Sequence, residues 1–104
     1  MALRRYTPKT FTKLVASSST PEFLHDNDIR MYGLIFIAEK AVGTENAGDV
    51  FIQIGGADAI KLEPGRQLTW PQPPFEAGYL MPQDFKVRVS TNNDGVRVIY
   101  NELT

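Results

Sequence analysis

Between Asn46 and Leu68 three strand-like runs are separated by two glycine-bearing turns, and this segment constrains the fold more than any other. In Val50-Phe51-Ile52-Gln53-Ile54, β-branched residues recur at every second position, which directs Val50, Ile52 and Ile54 to one face of a pleated strand. Gly55-Gly56 ends the run. Ala59-Ile60-Lys61-Leu62-Glu63 alternates in the same way and stops at Pro64-Gly65. That pair suits a type II turn, because proline presets φ and glycine accepts positive φ.

The rest of the chain reads in the same terms. Residues 1–9 show no sustained period and read as an arm, leaving 10–104 as a single domain. Phe11 to Ala16 reads as a first strand, interrupted by the turn-prone Ser17-Ser18-Ser19-Thr20-Pro21. Thr20 is placed to cap a short helical turn through Pro21, Glu22, Phe23 and Leu24. His25-Asp26-Asn27-Asp28 is a polar loop. From Ile29 to Ala38, Ile29, Met31, Ile35 and Ile37 share one face, while Tyr32, Leu34 and Phe36 make the other apolar too. Such a strand is either central in a sandwich or covered by a subunit partner.

Glu39 to Gly48 reads as a long polar connection, and Gln67 to Trp70 as a strand with Leu68 and Trp70 on one face. Pro71 to Pro82 contains four prolines and has no usable period, yet carries Phe75, Tyr79, Leu80 and Met81. It either plugs one end of the core or contacts another protein. Phe85, Val87 and Val89 alternate with polar residues, as do Val96, Val98 and Tyr100, which predicts a hairpin closed through Asp94-Gly95. The expected fold is all-β: an antiparallel sandwich or small barrel of about seven strands, with little helix.

Composition removes several alternatives. The chain has 104 residues, 42% hydrophobic and 22% charged, as expected of one globular domain. Its longest apolar run, Leu34 to Ala38, is far short of the roughly 20 residues that span a bilayer. Behind the basic N-terminus, Tyr6, Thr7, Pro8 and Lys9 stand where a secretory signal needs an apolar stretch, so no secretion signal is expected. There is no cysteine, so core packing must hold the fold together. A net charge of −1 argues against a nucleic-acid binder. The charge is uneven, however: Arg4, Arg5, Lys9 and Lys13 all precede the first acidic residue, Glu22. They form either a solvated terminus or a segment that grips an acidic neighbour.

Catalytic and metal chemistry find little footing. The single histidine, His25, lies beside Asp26 and Asp28, without the glycine and terminal glutamate of a calcium loop. Ser17, Ser18 and Ser19 lack any nucleophile-elbow pattern, and Gly55-Gly56 lacks the Lys-Ser/Thr of a phosphate loop. No enzymatic activity, cofactor or metal is expected. Trp70 and Tyr79, with Phe75 nearby, are an alternative platform for a sugar ring, set against the commoner use of such residues in a core.

Asn46-Ala-Gly-Asp-Val-Phe-Ile-Gln-Ile-Gly-Gly, then Leu62-Glu-Pro-Gly-Arg-Gln-Leu68, then Gly95-Val-Arg-Val-Ile-Tyr100 resemble the small β-sandwich proteins of tailed-bacteriophage virions. That family often shows an Asn-x-Gly-x-Val-aromatic-Ile-Gly-Gly hairpin, a Leu-x-Pro-Gly turn and a closing Gly-Asp-x-Val-Arg-Val strand. The likeness covers about half the chain, and departs from the pattern at Gln53 and in the proline-rich loop. It implies a virion structural role: a head decoration or cement protein, or another minor head protein. It also implies self-association, a major capsid or other virion protein as partner, no membrane, and a place in the virion. In that setting Arg4, Arg5, Lys9 and Lys13, within Leu3 to Lys13, are expected to clasp an adjacent subunit. Phe75, Tyr79, Leu80 and Met81 would form a second contact. The rival reading is a carbohydrate- or ligand-binding sandwich built around Trp70 and Tyr79.

Overall fold

The computed structural model describes residues 6–70 and 80–103. Ten strands occur among them: β1 (Tyr6–Leu14), β2 (Glu22–Phe23), β3 (Met31–Ile37), β4 (Glu39–Ala41), β5 (Thr44–Glu45), β6 (Val50–Ile54), β7 (Ile60–Leu62), β8 (Gln67–Thr69), β9 (Phe85–Val89) and β10 (Gly95–Leu103). The described helical content is one 3-10 turn, Pro82–Asp84. The fold is all-β and antiparallel, as expected, with more strands than the sequence indicated.

Two four-stranded sheets, ordered β1-β10-β3-β8 and β2-β9-β6-β7, enclose the core, and β4-β5 forms a small third sheet. With the eight strands of the two large sheets renumbered in chain order, the orders become 1-8-3-6 and 2-7-4-5. This is the strand order of a jelly roll. In it only the β6–β7 connection stays within one sheet, and every other connection passes between sheets.

That topology redirects one expected turn and corrects one expected hairpin. Pro64-Gly65 does form a tight turn, with Gly65 at φ +77° and the Arg66 N–H donating to Glu63 O at 3.0 Å, but it carries the chain from β7 in one sheet to β8 in the other. Asp94-Gly95 likewise links β9 and β10 across the sandwich. Gly55-Gly56, by contrast, closes a true hairpin between β6 and β7. Turn chemistry specifies a reversal; which sheet receives the returning strand depends on contacts remote in sequence.

Inward-facing residues alternate as the pleat requires. Phe85, Val87 and Val89 of β9, Val50 and Ile52 of β6, and Val96 and Val98 of β10 are fully buried. Leu62 and Tyr100 lie close behind, and Phe11, Leu68 and Trp70 are partly buried against the same cluster.

In β3 the expected facing is wrong in part. Met31, Leu34 and Phe36 are buried together, whereas Ile35 and Ile37 are only half-buried. The phase slips at Gly33, where φ is +64°. Asn101 pairs with Tyr32 and Ile99 with Ile35, so β3 carries one extra residue opposite Tyr100. This β-bulge turns Met31 onto the face of Leu34 and Phe36. β3 is central in its sheet, between β10 and β8.

Three other segments differ from expectation. The helical turn at Pro21–Leu24 is instead β2, with Glu22 opposite Val87 and Phe23 opposite Lys86, because pairing with β9 satisfies the backbone and places Leu24 in the core. The connection from Glu39 to Gly48 contains the β4–β5 hairpin, turned at Gly43 with φ +74°. The first strand begins earlier than Phe11: Tyr6 to Lys9, read as part of an arm, pair with Leu103 to Tyr100.

The segments that carry the phage-protein resemblance meet in space. The Asn46 side chain donates to Gly95 O at 2.7 Å, and the Gly95 N–H donates back to Asn46 Oδ1 at 3.0 Å. The buried Asp94 carboxylate accepts the N–H groups of Ala47 at 3.0 Å and Gly48 at 2.8 Å. The Val15 N–H donates to Asp94 O at 2.9 Å, which brings the end of β1 into the same knot. These residues hold the loops together.

Candidate interaction surface

The sequence Phe85-Lys86-Val87-Arg88-Val89 buries its apolar residues and leaves Lys86 and Arg88 on the outer face of β9. On β6 the same alternation places Phe51 and Gln53 outward, on the face opposite buried Val50 and Ile52. Register then aligns these residues into two rows. Phe23, Lys86 and Gln53 form one; Arg88, Phe51 and Lys61 form the other.

Within the rows cations lie on aromatic rings. Lys86 Nζ is 5.4 Å from the Phe23 ring centroid, and Arg88 Cζ is 4.1 Å from that of Phe51. Contacts of this kind stabilise by about 0.5–1 kcal/mol each where exposed. Phe23 is 46% exposed, unusual for so large an apolar side chain, and Lys61, Lys86 and Arg88 are all exposed. The two rows contain three cations, two aromatic rings and no carboxylate.

Three other basic residues are engaged internally. Lys9 Nζ is 3.7 Å from Glu102 Oε1 on the neighbouring strand. Lys13 Nζ is 2.9 Å from Glu22 Oε1, tying β1 of one sheet to β2 of the other. That hydrogen bond holds the Glu22 carboxyl below the usual glutamate range, against the opposing effect of partial desolvation. Arg97 is 3.1 Å from Glu39 of β4. Of the four basic residues expected to clasp a neighbour, Lys9 and Lys13 therefore have partners within the chain, while Arg4 and Arg5 lie outside the described residues.

The proposed second contact is partly placed. Phe75 and Tyr79 lie outside the described residues. Leu80 exchanges backbone hydrogen bonds with Met31 at 2.7 and 2.8 Å and packs on the core. Met81 precedes the 3-10 turn, its N–H donating to Asp84 Oδ2 at 2.9 Å. Trp70 is half-buried, its ring in edge contact with Phe36 at 5.9 Å and Phe85 at 5.1 Å. The Trp70 N–H donates to Leu34 O, so residues 70 and 80 both attach to β3. In the His25 loop, Nδ1 accepts the Asn27 N–H at 3.0 Å, and the ring meets Phe11 at 5.1 Å. No group of three or more metal-ligating side chains forms among the described residues.

Sequence reasoning did not nominate Phe23, Phe51, Lys61, Lys86 or Arg88. Alternation reveals which residues of a strand point outward, but strand order and register alone bring four separate strands into one surface.

Compared with models of known protein families, the chain matches none. No curated protein sequence matches it. No helix among the described residues is long and apolar enough to cross a membrane.

Proposed function

We propose that this chain is a non-enzymatic structural protein that docks on other protein subunits, in the setting its motifs resemble, the head of a tailed-phage virion. There it would act as a decoration, cement or other minor head protein. The observation that carries the reading is the uncovered cation–aromatic face of β2-β9-β6-β7, a surface suited to protein contact. The jelly-roll strand order is compatible with it by analogy, since that fold occurs in viral capsid domains. The same fold occurs in lectins, but the edge contacts of Trp70 with Phe36 and Phe85 engage that ring in the core flank rather than offering it to a sugar.

Size-exclusion chromatography with light scattering, across protein and salt concentrations, tests the reading. A discrete oligomer supports an assembly role. A strict monomer counts against it and makes a glycan screen the next measurement. The arm is tested by deleting residues 1–5 alone, because residues 6–9 belong to β1 and their removal would also weaken the sheet.

A further inference from the structure

Among the described residues, Lys9, Lys13 and Arg97 each have a carboxylate within ion-pair distance, at 3.7, 2.9 and 3.1 Å, whereas Lys61, Lys86 and Arg88 have none. Lys40 and Arg66 also have no carboxylate within ion-pair distance, but Lys61, Lys86 and Arg88 are the ones that register gathers on the outer face of β2-β9-β6-β7. The chain's net charge is −1, yet the two rows carry three cations and no carboxylate, so positive charge is concentrated in these rows, with Asp49 and Glu63 at their border.

We infer that this face receives an acidic protein surface, whose carboxylates seat on Arg88, Lys86 and Lys61 while Phe23 and Phe51 fill the apolar spaces between them. The inference rests on the docking role proposed above and names the chemistry of the partner. Charge complementarity supplies the first argument. Geometry supplies the second: Arg88 stacked on Phe51 keeps a planar guanidinium whose edge N–H groups suit a carboxylate fork. Single-stranded nucleic acid is disfavoured by the same contacts. Its bases bind by stacking on aromatic faces, and here each ring already lies beneath a cation.

The test uses the full chain titrated with poly-L-glutamate, and separately with oligothymidylate of equal charge, followed by amide chemical-shift changes. The expected result is salt-dependent binding of poly-L-glutamate that moves amides of β6, β7 and β9. Lys61→Ala, Lys86→Ala and Arg88→Ala combined should weaken it at least tenfold with the amide spectrum otherwise intact. Arg88→Gln alone, a milder change, should weaken it severalfold. Absence of binding at low salt, unchanged binding by both variants, or tighter binding of oligothymidylate would overturn the inference. A discrete oligomer without poly-L-glutamate binding would sink this inference and leave the docking role standing. A monomer that binds poly-L-glutamate through this face would support this inference and count against self-association.

Discussion

Asn46 and Gly95, 49 positions apart in the chain, exchange two hydrogen bonds in the buried knot that joins the β5–β6 connection to the start of β10. A side-chain amide has one donor and one acceptor edge, so Asn46 satisfies both backbone groups of a single residue. Beside it, Asp94 accepts two backbone N–H groups and completes the knot.

Removing either side chain strands buried polar groups, at roughly 1–3 kcal/mol per group. Asn46→Ala and Asp94→Ala should each lower stability by about 2–3 kcal/mol. Asn46→Asp should cost at least as much, since a carboxylate cannot donate to Gly95 O. Urea titrations check this: the midpoints should fall with unchanged slope, and a midpoint shift within error for Asp94→Ala would contradict the role of the knot.

Glycine at 95 answers a steric demand. A Cβ there would strike the Lys13 carbonyl oxygen and come within 3.1 Å of Leu14 Cα, both on the adjacent β1. Backbone cannot swing aside as a flexible side chain can, so Gly95→Ala should cost about 3 kcal/mol through displacement of β1. Gly56→Ala is the control: nothing lies within 4 Å of its added carbon, and its effect should stay within about 0.5 kcal/mol. Thermal melts of the two variants should therefore separate clearly.

The Lys13–Glu22 pair gives a dependence on acid. Because Glu22 titrates below its ordinary range when folded, its contribution is present above the unfolded carboxyl pKa, about 4.3, and is lost as pH falls through the lowered folded value. Both groups retain solvent contact, so the pair should contribute no more than about 1 kcal/mol. Glu22→Gln should lower stability slightly at pH 7 and narrow the gap to the unsubstituted protein at pH 3. A difference that stays constant between those pH values would refute this account.

Tyr100 gives the alkaline counterpart. Burial raises its hydroxyl pKa above the ordinary value, with a smaller contribution from nearby Glu102. A raised folded pKa means stability that is full below the unfolded value of about 10 and is lost as pH rises through the folded one. Tyr100→Phe retains the ring that meets Phe11 at 5.7 Å and removes the titrating group. Its stability should therefore decline less than that of the unsubstituted protein between pH 9 and 11, as followed by denaturant midpoints.

Trp70 separates core packing from ligand binding. Losing its contacts with Phe36 and Phe85 should destabilise Trp70→Ala by about 3 kcal/mol, whereas a sugar-stacking Trp would be dispensable for folding. Calorimetric unfolding of the variant reads the difference directly.

Much of the fold was legible in the sequence because it depends on local periodicity. The alternation of Phe85, Val87 and Val89, of Val50 and Ile52, and of Val96 and Val98 with polar neighbours identified the buried faces before any contact was known. Gly55-Gly56 and Pro64-Gly65 marked reversals for equally local reasons. Where expectation failed, a distant partner intervened. Gly33 re-phased β3 through a bulge against β10, and Glu22–Phe23 became strand because β9 offered an edge.

The sequence by itself determined an all-β chain, its turns and most of its core, since φ preferences and side-chain periodicity act over a few residues. Only the tertiary structure decided that Pro64-Gly65 and Asp94-Gly95 cross between sheets, that Asn46 meets Gly95, and that Phe23, Phe51, Lys61, Lys86 and Arg88 share one face. Those outcomes depend on strand order and register, which are set by hydrophobic burial and backbone pairing between segments that no local pattern connects.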